Sequence, residues 1–402
     1  MILRAHQYTG MPKREDETPE ERSERKRQKK DKKDRGDETS EERSERKRQK
    51  KEKKEKEYQD AHVALGVAAA EEEKESGPTE SGKVMYPPPA NKPDAKCDTT
   101  ILLFYAYCNP PMTTRVEEEM IARCTRRLSE LGITGRLRIG KEGFNATLTG
   151  PTAATREFTT FLRQADAATF GETDFKYVDK QNDNKRLKGL KVWHVQEIVT
   201  YGFDPAEAPL DMRGTHLKPH DFHKAMEDPD AIMIDVRNFN ESVIGKFAPP
   251  NRIVLDPEMR RSTEFPVWVE SHKKELEGKK VLMYCTAGVR CERASAFLRN
   301  KGVQNVFQLD GGIHRYLDAF PDDGGYWVGK NYTFDKRFSH GAEKSATIST
   351  CVVCKEPWDR YQAQEECQKC HMEVVVCRTC QRQKLEKRAF CCPLCSRPKG
   401  KK

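Results

Sequence analysis

The cysteines of this chain divide by spacing into two chemistries. Eight of the 14 form four Cys-x2-Cys pairs near the C-terminus: Cys351/Cys354, Cys367/Cys370, Cys377/Cys380 and Cys392/Cys395. Two thiolates that close together can bind one ion, and eight are the number that two all-cysteine zinc sites need. A site saturated by four thiolates has no open position. Two structural zinc ions with a folding role are therefore expected in a small Cys-rich module at residues 345–397. Sequential and cross-braced pairings are both open, and Cys391 or His371 could replace a neighbour.

The second chemistry belongs to Cys285. It opens the stretch Cys285-Thr286-Ala287-Gly288-Val289-Arg290-Cys291, after an apolar run of strand length and before a segment of helical spacing. On such a turn, backbone N–H groups and the positive end of the helix dipole point at the sulfur, and Arg290 adds a full charge. A reactive thiolate is expected, able to accept a sulfur atom as a persulfide that the N–H groups and Arg290 would hold. Thr286, Ala287, Gly288 and Val289 form the supporting loop. Asp235 and Arg237 are expected to anchor it through a charge-assisted bond, and Cys291 is either a resolving thiol or a packed helix-start residue. A phosphatase is the rival use of a thiolate and an arginine in one loop.

The elements that must position this loop come in two blocks. Residues 99–200 read as strand (101–107), helix (115–131), hairpin (135–139 and 144–149), helix (151–162) and strand (174–178), with Val116, Met120, Ile121, Cys124 and Leu128 on one helix face. The order βαββαβ is that of an α+β ferredoxin-like domain. A further strand is expected at 190–199. Arg136, Arg138 and Lys141 of the hairpin, with Lys185, Arg186 and Lys188 of the loop at 180–188, make a candidate RNA-binding face, with Tyr177 and Trp193 for stacking. Ordinary solvated edge charge is the plainer reading of the same residues. Residues 215–325 alternate strands (231–237, 281–284, 305–309) with helices (263–276, 291–301), implying a parallel sheet with helices on both faces. Cys285 and Asp235 to Arg237 then fall at carboxyl ends of strands, where ligands bind such sheets.

Residues 1–95 have another character. The segment 16–30 recurs at 37–51, a shift of 21 residues, and 20 Lys+Arg face 16 Asp+Glu between positions 13 and 57, with no large apolar side chain there. Nothing in it can be buried to offset ordering entropy, so a disordered or transiently helical, coiled-coil-like charged arm is expected, closed by a Pro-rich linker. Its basic runs are candidates for nuclear import or RNA tethering. The whole chain has 402 residues, a net charge of +9 and 36% hydrophobic residues, without a membrane-length apolar window or a secretory apolar core at its start. A cytoplasmic protein without a membrane partner is expected, and in that reducing setting the cysteines favour metal or thiolate chemistry over disulfides.

Asp235-Val236-Arg237, the loop at 285–290 and Leu309-Asp310-Gly311-Gly312-Ile313, in that order, resemble a rhodanese domain. Together with residues 329–337, the hairpin at 135–150 and the cysteine-rich tail, they resemble a narrower group. These are the rhodanese-containing, oxygen-dependent tRNA wobble-uridine hydroxylases and their rhodanese-like animal relatives. The resemblance spans residues 99–395 and implies an essential cysteine at Cys285, tRNA as partner, and conversion of the wobble uridine to 5-hydroxyuridine. It also implies that the four residues between Cys285 and Arg290 are the rhodanese loop length, where related phosphatases use five. Ala287 departs from the glycine that many members carry. The sequence contains no recognisable iron facial triad or flavin-binding stretch, so the oxidant is not specified. The alternatives are a thiosulfate or persulfide sulfurtransferase and a zinc-dependent RNA-binding adaptor with a vestigial rhodanese domain. Intact Cys285 and Arg290 speak against the last.

Overall fold

The computed structural model describes residues 98–361, 365–382 and 390–397. The charged arm, its duplication and the Pro-rich linker lie outside them.

The first block builds a five-stranded sheet from β1 (Thr99–Tyr107), β2 (Thr134–Gly140), β3 (Gly143–Pro151), β4 (Lys176–Gln181) and β5 (Leu190–His194), in the order β4-β1-β3-β2-β5. β5 runs parallel to β2, and the remaining pairs are antiparallel. Helices α1 (Thr114–Glu130) and α2 (Thr152–Ala165) supply Met120, Cys124, Leu128, Phe158 and Leu162 to a core with Leu102, Phe104, Leu137, Ile139, Phe144 and Leu148. This is the ferredoxin-like fold with one added edge strand.

Because strand side chains alternate, those core residues commit their neighbours to the opposite face. The register then sets Arg138, Asn145 and Tyr105 in one row across β2, β3 and β1, and Arg136, Thr147 and Leu103 in the next. That face carries two arginines and a tyrosine, whereas the other packs its apolar side chains under the helices.

Two expectations for this block need correction. Val116 is 44% exposed, and the inward position belongs to Glu117, whose carboxylate meets His194 Nδ1 at 2.5 Å. One residue is 100° of helix, enough to swap the two. Tyr177 sits on edge strand β4, bonded to Thr159 and covered by the Arg156 guanidinium, at the opposite edge of the sheet from Trp193.

The second block is a parallel sheet ordered β6-β11-β10-β7-β9, built from β6 (Thr215–Leu217), β7 (Ala231–Asp235), β9 (Ile253–Leu255), β10 (Lys280–Tyr284) and β11 (Val306–Leu309). Alternate residues of β10 feed two cores: Val281 and Met283 pack with Phe265 and Val269 of α6 (Phe265–Leu276), and Leu282 and Tyr284 with Ile313 and Tyr316 of α8 (Gly312–Ala319). A strand covered on both faces reads as an unbroken apolar run, as this one does. Tyr284 at the end of β10 pairs with Asp235 at the end of β7, so the loop that follows lies at the carboxyl edge of the sheet.

The tail packs against this block. Tyr361 donates to the Asn240 carbonyl at 2.5 Å, and Phe239 and Val243 lie against its apolar residues. Among the described residues no helix is long and apolar enough to cross a membrane.

Candidate active site and metal centres

The loop at 285–288 is built from both sides. α7 (Val289–Asn300) begins after Gly288, whose φ of 104° suits glycine and whose Cβ, if present, would lie 2.7 Å from Tyr105 Oη. Gly312, also at positive φ, passes close beneath: a Cβ there would lie 2.6 Å from the Cys285 carbonyl oxygen. The following N–H groups use that closeness. Ile313 donates to the Cys285 carbonyl at 3.0 Å and His314 to the Thr286 carbonyl at 3.1 Å. From above, Tyr201 Oη donates to the Arg290 carbonyl at 3.1 Å, Tyr107 Oη to that of Val289 at 3.3 Å, and Tyr105 Oη to Glu292 at 3.0 Å. Tyr105 and Tyr107 belong to the ferredoxin-like sheet, so the loop is held between the two blocks.

Cys285 is fully buried and receives the Gly288 N–H at 3.2 Å. Burial alone would push its thiol up. The Cys291 thiol, the Arg290 charge and the N–H groups of Ala287 and Arg290 outweigh that and bring it down to about 5, so the thiolate predominates at neutral pH. Cys291 moves the opposite way, raised by burial and by the adjacent sulfur. Its thiol keeps its proton and directs a hydrogen bond to the Cys285 sulfur.

Arg290 does not stand free. Its guanidinium makes a two-pronged bond to Glu241, the second prong at 2.7 Å, and Thr286 Oγ1 donates to the same carboxylate at 3.0 Å. Burial disfavours the Glu241 carboxylate, but Arg290 and Arg237 together hold it below the usual range. The expected anchors Asp235 and Arg237 do not reach the loop. Arg237 pairs with Asp235 at 2.8 and 2.6 Å and spends its remaining N–H groups on the carbonyls of Glu241 and Gly245. The anchor is Glu241, on the short helix α5 (Phe239–Ser242), with Arg237 fixing that helix. The sequence signal for it was Asn238-x-x-Glu241, a capping pattern, and Glu241 indeed accepts from the Asn238 N–H at 3.1 Å.

A cavity of about 520 Å³ lies between the loop and the arginine-bearing face of the first sheet. Thr286, Ala287, Val289 and Arg290 line it together with Arg136, Arg138, Tyr105, Lys176, His314 and Phe334. Cys285 itself is not on the wall. Of the expected basic face, only Arg136 and Arg138 reach the cavity. Lys185 donates to the Lys336 carbonyl at 3.0 Å and Arg186 to that of Gly132, while Lys141 and Lys188 lie elsewhere on the surface. Tyr105, His314 and Phe334 were not singled out by sequence, because their relevance arises only through folding.

The tail brings Cys351, Cys354, Cys377 and Cys380 into one group and Cys367, Cys370, Cys392 and Cys395 into another, with the ligand atoms of each within 4.8 Å of one another. First and third pairs join, and so do second and fourth, which is the cross-braced arrangement. Cys391 and His371 belong to neither group. Four sulfurs at Zn–S bond length on a tetrahedron stand about 3.8 Å apart. Cys354–Cys377 and Cys370–Cys392 are each at 3.7 Å. Backbone N–H groups of Cys377, Cys380 and Cys395 point at the sulfurs of Cys351, Cys377 and Cys392, as thiolate ligands require. The donor sets fit two tetrahedral thiophilic ions.

Three family models match in series: the UPF0176 acylphosphatase-like domain at residues 99–198, the rhodanese-like domain at 218–319 and the rhodanese C-terminal region at 328–396. The chain is 35% identical to the rhodanese-like domain-containing protein 6 of Arabidopsis thaliana over 73% of its own length, and spans about half, 52%, of that relative. The tRNA uridine(34) hydroxylase of Bacillus velezensis is 37% identical over 65% of this chain and 78% of its own, and that of Mesorhizobium japonicum 36% identical over 60% and 77%. Among solved structures, a rhodanese-related protein of Thermoplasma volcanium matches 26% of the chain with a TM-score of 0.21 and 24% identity, and adds nothing to this assignment. Three domain matches in the same order as the blocks of the fold, with identity above 30% across more than three quarters of the bacterial enzymes, establish that the chain belongs to the tRNA uridine(34) hydroxylase family.

Proposed function

We propose that the chain hydroxylates the wobble uridine of tRNA at C5, with Cys285 as nucleophile and Arg290 and the loop at 286–289 as its electrostatic support. One observation carries this reading: a cysteine held as thiolate, at about 5, behind the wall of an arginine-lined cavity, in a chain of this family. Uracil C5 becomes electron-rich when a nucleophile adds at C6, and a thiolate suits that addition. The ring electrons then lie over C5 and O4, and C5 takes up one oxygen atom of dioxygen while an external two-electron reductant and two protons carry the other away as water; loss of the C5 proton with expulsion of the thiolate restores the ring. Because the sulfur is fully buried, the turn at 286–288 must shift when the base arrives. The two tail groups are assigned to zinc, which all-thiolate tetrahedral sites favour, in a folding role.

The test is nucleoside mass spectrometry of unmodified tRNA incubated with the purified chain in air with an added two-electron reductant, a dithiol or a reduced nicotinamide. Wild type forms 5-hydroxyuridine and Cys285→Ser does not. Absence of that nucleoside together with one extra sulfur on Cys285 after incubation with thiosulfate would instead make the chain a sulfurtransferase. Tight RNA binding with neither activity would make it an adaptor.

A further inference from the structure

We infer that the cavity is a nucleotide subsite in which Phe334 stacks on the target base while Arg136 and Arg138 receive the flanking phosphates. The inference rests on the tRNA reading above and adds the groups that recognise the substrate.

Phe334 is 46% exposed and is the one aromatic residue among the exposed large apolar side chains of the described residues. It lines the cavity. Its ring is braced at one edge by Tyr332, with centroids 5.1 Å apart at 75°, and lies 5.9 Å from the Arg290 guanidinium, beside the loop. An aromatic ring left in solvent at the mouth of a charged cavity is the feature that single-stranded RNA recognition uses, since every base has a face to stack.

The charge distribution supplies the second half. Lys176 is committed to Asp174 at 2.7 Å and Arg290 to Glu241. Among the described residues Arg136 and Arg138 have no carboxylate partner. Arg138 lies over the Trp193 ring, and Arg136 donates to the Phe334 carbonyl, which ties the stacking segment to the sheet. Two residues apart on one strand face, they are separated by about 7 Å, comparable to successive phosphates of an extended RNA strand. The base on Phe334 and the phosphates on the arginines would then present the uridine to the loop at 285–290.

Binding of a fluorescently labelled, unmodified anticodon stem-loop RNA with uridine at the wobble position tests this, alongside hydroxylation of the same RNA. Phe334→Ala should lower affinity about 5- to 150-fold, the range for loss of one base stack, with an unchanged salt slope. It should raise KM more than it lowers kcat, and Phe334→Tyr should restore both. Arg136→Ala and Arg138→Ala should each flatten the log K against log salt slope by about one, while Lys141→Ala leaves it alone. Wild-type affinity and KM in Phe334→Ala, or equal rescue by Phe334→Leu and Phe334→Tyr, would overturn the subsite while leaving the hydroxylase reading intact. Loss of RNA affinity in Phe334→Ala with no 5-hydroxyuridine from wild type would support the subsite and remove the reaction.

Discussion

The loop cysteine is held as a thiolate by the protein alone, whereas the tail cysteines are gathered as ligands for an ion. In the tail the arrangement is local: each sulfur has cysteine neighbours within 4.8 Å, Cys377 and Cys392 each receive a backbone N–H from their own knuckle, and an ion would complete the geometry. In the loop the charge is held from a distance. Cys285 depends on the Cys291 thiol, on Arg290 and, through Arg290, on Glu241, 44 residues earlier by difference of position (285 − 241). A metal saturates its thiolates and makes them structural. The loop leaves its thiolate with hydrogen bonds and a nearby positive charge but no bond to a metal, and that is what keeps it a nucleophile. The two regions meet at α5, because Tyr361 of the tail bonds the Asn240 carbonyl beside Glu241.

The strongest way to separate them is to withhold from the tail groups the zinc proposed for them. Structural zinc contributes about 10–16 kcal/mol to the folding of small thiolate modules, so a chelator, or Cys367→Ser, should unfold residues 345–397. Hydrogen exchange should show tail amides losing protection first and those of α5 next, with the sheet around β10 unchanged. Equal loss across both blocks would show that the tail is not a separate folding unit.

A smaller effect is expected from Glu241→Gln. It leaves Arg290 charged and buried without its counter-ion, which costs roughly 3–5 kcal/mol. Urea unfolding should report that loss. A change below 1 kcal/mol would mean that Glu241 is not the anchor.

The smallest effect belongs to Cys291→Ala. Removing one hydrogen bond to a charged group is worth about 1.5–3 kcal/mol, so the Cys285 titration midpoint should rise from about 5 by roughly one to two units. Iodoacetamide labelling of Cys285 against pH, read by peptide mass spectrometry, measures it. An unmoved midpoint would show that Cys291 merely packs at the helix start.

What was legible in the sequence follows the same division. The Cys-x2-Cys pairs are legible because both ligands of a knuckle lie within one turn. Their cross-bracing is not, because it depends on how the knuckles interleave in space. The strand, turn and helix around Cys285 are legible for the same local reason, and so is the pair Arg136 and Arg138, since alternation along β2 forces both to one face. Where Lys185 and Arg186 would turn was not legible, because an isolated basic loop says nothing of the carbonyls it will meet. Glu241, Tyr105 and Phe334 come from three different stretches of chain, and only the packing of the two sheets brings them to one cavity or loop.

If the Cys285 thiolate drives hydroxylation, the rate of 5-hydroxyuridine formation must follow its titration with pH. The Cys285 value lies below that of an ordinary thiol, so the reactive form is present above about 5 and is lost as pH falls through it. The rate should show a thiolate-dependent limb near pH 5 and a plateau through neutrality, with no product at any pH from Cys285→Ser. A limb at pH 8 to 9, where an ordinary thiol titrates, or product from Cys285→Ser, would contradict it.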